Sequence, residues 1–105
     1  MSIRKSGCAV AMITLVVAGN AWAATPRGES LAQRWCSQCH AVKPNQSSVN
    51  PAAPRFSDVA ADPSITDYSL RVFLKTPHST MPNLMMKPDD VDDIVSYILS
   101  LKPRR

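Results

Sequence analysis

Cys36-Ser37-Gln38-Cys39-His40 is the stretch on which the fold of this chain turns. Two thiols three residues apart, followed at once by an imidazole, form the attachment motif of a c-type haem. Thiols at i and i+3 share one side of a helical turn, so both reach the two vinyl groups along one porphyrin edge. His40 then meets the iron as the proximal ligand, and the sixth position is left for a donor from elsewhere in the chain. The motif has two other readings. A thioredoxin-like dithiol needs a strand leading into it and alternating strands and helices around it, and neither pattern is present. Half of a zinc site needs further Cys or His at short spacing, whereas the only other His is His78 and the only other Cys is Cys8.

Cys8 belongs to a segment with the marks of an export signal. Arg4 and Lys5 precede the apolar run Cys8 to Ala18, and Ala21-Trp22-Ala23 offers a small-x-small cleavage site. The run is eleven residues, short of the roughly 18 that argue for a membrane span. Cys8 stands at the start of that run rather than after it and lacks the preceding apolar residue of a lipoprotein signal. The expectation is a cleaved signal peptide over 1–23, a mature domain over 24–105, no lipid or stable membrane anchor, and a periplasmic destination.

Cleavage changes the charge argument. The precursor's +4 includes Arg4 and Lys5, so residues 24–105 hold ten basic against eight acidic side chains, a net of +2, which two haem propionates would formally cancel. No Lys/Arg run with interleaved aromatics points to nucleic acid, and Arg104-Arg105 reads as a solvated tail. About 82 residues is near the size at which a hydrophobic core alone becomes marginal. Both remaining cysteines are consumed by the motif, so no disulfide assists. A buried haem would supply the missing apolar contact, and the haem-free chain is expected to be largely unfolded.

Four segments have helical character. Gly28 to Cys39 opens with Arg27-Gly28 and repeats Leu31, Ala32 and Trp35 at three- and four-residue spacing. Ala41 to Pro54, with Pro44, Pro51 and Pro54, is a loop. Phe56 to Ala61 allows one or two turns. Thr66 is an N-cap for a helix through Thr76 that buries Leu70, Phe73 and Leu74. The last helix has Pro88 at its first position and an apolar stripe of Val91, Ile94, Val95, Ile98 and Leu99, and Pro103 stops it. Its Asp89, Asp90, Asp92 and Asp93 read as compensation of the positive helix end rather than a docking patch. Nothing alternates with strand period, so the fold class is all-α.

From Gly28 to Leu101 the chain resembles a monohaem class I cytochrome c. The likeness rests on Cys36-Ser37-Gln38-Cys39-His40-Ala41-Val42, the Pro54-Arg55-Phe56 step, the Met81-Pro82 pair and the closing helix with Tyr97. It implies a small domain of about four helices around one covalent haem c, with the first and last helices crossing at Gly28 and Tyr97 as its aromatic partner. Ala32 departs from the family, which usually has an aromatic four residues before the first Cys; Leu31 or Trp35 is expected to fill that volume.

The resemblance also nominates Met81 as the sixth ligand, because family members carry Met-Pro just before the last helix. Pro82 would fix the loop's φ and remove a donor from the haem face. Met85 and Met86 read as apolar filler, and His78 is the chemical rival, which would make the iron bis-His and lower its potential. By the same resemblance the Pro54 carbonyl orients His40, with Pro51 near enough to exchange the role. Trp35 reads as a partly exposed packing residue.

The function so implied is single-electron carriage in the periplasm by a monomer with transient redox partners. The partners would meet it around the haem edge, through Ser37, Gln38, Val42, Met81, Pro82 and Asn83. Two alternatives differ in class. One is a haem enzyme or gas-binding module with a labile or absent sixth ligand, in which His78 serves as acid/base. The other is a dedicated partner of one periplasmic dehydrogenase.

Overall fold

The computed structural model describes residues 26–104. The expected signal peptide, its cleavage point and Arg105 lie outside the described residues. Four helices follow in order: α1 Pro26–Trp35, α2 Phe56–Ala61, α3 Asp67–Lys75 and α4 Pro88–Ser100. Among the described residues there is no strand, only a single antiparallel bridge between His78 and Met81.

Each helix has a local cause. Pro26 opens α1, where a missing N–H costs nothing. The helix thus starts two residues before Gly28, and its regular part ends at Trp35 rather than Cys39. Cys36 N–H still donates to Ala32 O at 2.9 Å, and the chain then tightens, with Cys39 N–H and His40 N–H both donating to Cys36 O at 3.2 and 2.9 Å. Thr66 caps α3 reciprocally: its hydroxyl accepts from Ser69 N–H at 3.0 Å and Ser69 Oγ accepts from Thr66 N–H at 2.9 Å. Pro88 opens α4 after Lys87.

The core lies where α4 meets the other three helices, with Ile94, Val95, Val91, Ala32 and Val42 at 0–1 % exposure. The closest approach is between α1 and α4. An added Cβ at Gly28 would stand 2.2 Å from Asp93 O and 2.9 Å from Tyr97 Cβ, so only glycine lets the helices touch. Tyr97 is buried here and its hydroxyl donates to Val42 O at 2.6 Å. Burial pushes the phenol above its ordinary pKa, and Glu29 adds to the shift. Ala32 is buried, Leu31 is buried beside it and Trp35 packs against the same core.

Ion pairs fasten the crossing. Arg27 reaches Asp90 and Asp93 across the α1–α4 seam, and Arg71 of α3 bridges Asp67 at 2.5 Å and Asp92. The acidic run of α4 therefore does more than complement its own dipole. Three of its four carboxylates hold neighbouring helices, and Asp90 is buried to do so.

Two expectations of burial need correction. Of the α3 residues only Leu70 is buried; Phe73 is half exposed and Leu74 partly buried, because both face a cavity rather than packed protein. Met85 is 97 % exposed and fills nothing, whereas Met86 packs against the core.

Candidate haem site

The Cys36–Cys39 turn, α3, α4 and the loop before α4 enclose a cavity of about 730 Å³. Trp35, Cys36, Gln38, Cys39 and His40 line it from the turn, and Leu70, Phe73 and Leu74 from α3. Ile94 and Ile98 reach it from α4, and Met81, Pro82 and Leu84 from the loop. The lining is dominated by hydrocarbon, with a few polar donors spaced around it, which is the composition of a cofactor pocket.

His40 is oriented from behind. Its Nδ1 lies 2.7 Å from Pro54 O. A carbonyl only accepts, so Nδ1 carries the proton and Nε2 keeps the lone pair with which an imidazole binds metal. Phe56 packs against the ring, centroids 5.3 Å apart. The loop places Pro54 there by a series of short bonds. Ala41 N–H donates to Ser48 Oγ at 3.0 Å, Asn50 N–H to Cys39 O at 3.1 Å, Ala53 N–H to Asn50 O at 2.9 Å and Phe56 N–H to Ala41 O at 3.0 Å. Asn45 takes the left-handed turn at φ 62°, a conformation asparagine tolerates. Pro54, not Pro51, thus faces His40.

The thiols separate the competing readings of the motif. Burial pushes Cys36 up to about 11, whereas a catalytic dithiol works through a lowered pKa. Among the described residues no group of three or more His, Cys, Asp or Glu side chains is arranged to hold a metal ion, so a zinc site has no ligand set there. The other donors facing the cavity are Met81 and His78. Met85 and Met86 do not reach it.

These residues fit a haem. Two thiols sit on one turn, an imidazole with a free lone pair follows them, a thioether stands on a separate loop, and apolar walls lie between. A family model described as Cytochrome c matches residues 26–102.

The chain belongs to the cytochrome c family. A cytochrome c domain carries a covalently bound haem c with iron, and the cavity has the lining to take it. The chain is 38 % identical over 76 residues to cytochrome c-552 of Bradyrhizobium diazoefficiens, covering 72 % of this chain and 73 % of that protein. No solved structure matches it at a significant level.

Cys36, Cys39, His40, Met81 and Pro54 are all brought to one cavity, although up to 45 positions separate them in sequence. Val42 is the exception among the surface residues expected around the haem edge. It is fully buried, because its carbonyl must meet Tyr97, so it belongs to the core and not to a contact surface. Sequence reasoning missed Val59 and Ile65 as lining residues. Val59 was within reach, since Phe56, Val59 and Ala60 form an i, i+3, i+4 stripe. Ile65 stands alone between turns and carries no periodic signal.

Proposed function

We propose that this cytochrome c is a single-electron carrier with His40 and Met81 as axial ligands and thioethers at Cys36 and Cys39. The observation that carries the proposal is the convergence of His40, with Nδ1 committed to Pro54 O, and Met81 on one apolar cavity. The haem, when bound, supplies a ferric/ferrous couple.

The protein's own residues set the character of that couple. Pro54 fixes the His40 tautomer and raises its basicity as a donor. A neutral, soft thioether from Met81 favours the ferrous state and raises the potential relative to bis-His. Leu70, Ile94 and Ile98 keep the surroundings dry. His40 and Met81 together would hold the iron and leave no place on it for a substrate, which is why the reading is a carrier rather than an enzyme.

Two finer parts of the reading rest on the sequence. The charged, apolar and small-x-small order of residues 1–23 supports export to the periplasm. Among the described residues no helix is long and apolar enough to cross a membrane. Partners are redox proteins that dock transiently near Gln38, Pro82 and Asn83, which are exposed beside the cavity-lining turn and loop.

The test is an absorption spectrum of the matured protein in its ferric, dithionite-reduced, and reduced, carbon monoxide-treated forms. Narrow low-spin bands, a sulfur-to-iron band lost in Met81→Leu, and no response to carbon monoxide are expected. A high-spin resting spectrum that shifts with carbon monoxide would replace the carrier by a catalytic or gas-binding haem protein.

A further inference from the structure

His78 is held in a way that the carrier role does not use. Its Nδ1 lies 2.7 Å from Thr76 O. As at His40, a carbonyl partner puts the proton on Nδ1 and leaves the lone pair on Nε2. That Nε2 is buried and bonded to nothing, the one buried side-chain nitrogen or oxygen among the described residues without a partner. Leaving such an atom unsatisfied is costly. The ring rests on Phe73, centroids 4.1 Å apart, and both residues line the haem cavity.

Position adds a second observation. His78 and Met81 are partners in an antiparallel bridge closing the turn His78-Ser79-Thr80-Met81. Directly opposed residues of such a pair project their side chains to the same side, with Cβ atoms about 5 Å apart. The loop therefore sets a thioether and an imidazole side by side at one cavity, with Nε2 itself covered in the resting arrangement. A haem propionate, an ionised carboxylate that only accepts, would need a second proton on the ring to use this Nε2. An electron-pair acceptor fits it, and in this cavity that acceptor is iron.

We infer that His78 is a reserve axial donor, which takes the sixth position through Nε2 whenever the Met81 thioether leaves it. One two-electron donor replaces another, so the exchange itself consumes no oxidant or reductant. The carbonyl of Thr76 and the face of Phe73 park the ring in its donor tautomer until the loop turns. The consequence is a protein with two potentials: a higher one with sulfur bound and a lower one with nitrogen bound. The lone pair also closes the metal to small ligands after Met81 is lost.

The inference rests on the haem reading above, and its test separates the two. Met81→Leu keeps apolar volume while removing the sulfur, a swap that cores tolerate. It is compared with Met81→Leu/His78→Ala and with His78→Ala alone, by ferric and ferrous absorption, electron paramagnetic resonance and carbon monoxide titration. Met81→Leu is expected to lose the sulfur-to-iron band yet stay low-spin. Removing His78 from it should give a high-spin protein that binds carbon monoxide at least about tenfold more tightly, as follows when the open state goes from about a tenth to nearly all of the population. Added imidazole returns that double variant to low spin, and His78→Ala alone keeps the sulfur-to-iron band. A Met81→Leu protein that is already high-spin and matches the double variant overturns the reserve role and leaves Met81 as ligand. A wild-type protein without the sulfur band, turned high-spin by His78→Ala alone, overturns the Met81 reading and the reserve role together.

Discussion

Gly28→Ala sets two well-defined effects against each other. Gly28 is the third residue of α1, and in a free helix alanine is favoured over glycine by about 0.8–1.0 kcal/mol. In the folded protein the new methyl would stand 2.2 Å from Asp93 O and 2.9 Å from both Asp93 C and Tyr97 Cβ. Ordinary contact begins near 3.4 Å, so α1 and α4 must part by roughly 1 Å, a shift a close-packed core resists. The obstacle is backbone carbonyl, which has no rotamer through which to retreat. Overpacking costs about 1–3 kcal/mol, and a clash with main chain belongs at or above the top of that range. Sterics therefore win, with a net loss of about 2 kcal/mol or more. For a domain of 60–100 residues each kcal/mol moves Tm by about 4–8 °C, so the variant is expected to melt about 10 °C lower. Thermal and guanidinium unfolding of the haem-loaded protein, followed by far-ultraviolet circular dichroism, measures it. A variant melting at or above wild type would show that the α1–α4 contact is not close in solution and would refute the reasoning.

Two further outcomes follow from the same structure. Tyr97→Phe leaves the buried Val42 carbonyl without its donor and is expected to cost about 1–3 kcal/mol at neutral pH. Because the folded-state pKa of Tyr97 is raised, the native protein binds more protons than the unfolded chain above about pH 10. The contribution is thus whole below that pH and lost as pH rises through the folded value; denaturant midpoints of the phenylalanine variant should fall less steeply in that window. Cys36→Ala/Cys39→Ala protein lacking haem is expected to show no cooperative unfolding. Without the haem the apolar walls of the 730 Å³ cavity would face water instead of a contact, a loss that a domain this small has little core to offset. A sharp melting transition in that variant, with native-like near-ultraviolet dichroism, would overturn the dependence.

The chemistry of this protein was readable in one dimension because haem attachment is a local event. Two thiols and an imidazole must lie within five residues to reach one porphyrin edge and its metal, so Cys36, Cys39 and His40 announce themselves. The helices were readable for a similar reason, since an apolar stripe at helical spacing or a capping threonine acts through neighbours a few residues away. Even there the ends moved, with α1 beginning at Pro26 and giving way after Trp35, as the tight turn at the thiols competes with the regular ladder.

Choices among chemically similar residues were decided only by the fold. Pro54 rather than Pro51 faces His40 because a loop of side-chain and backbone bonds from Ala41 to Phe56 sets its path. Met81, and neither Met85 nor Met86, reaches the cavity, because the turn that pairs it with His78 aims it there while Met85 is left in solvent. Val42 is in the core because Tyr97, 55 positions away, needs its carbonyl. Three aspartates of α4 are tied to Arg27 and Arg71 of other helices rather than only to their own helix end. The buried lone pair of His78 was invisible to sequence altogether. Sequence determined which atoms do the chemistry, since that depends on bonds and near neighbours; tertiary structure determined which of several equivalent donors are used, since burial and partnership are properties of distant segments brought together.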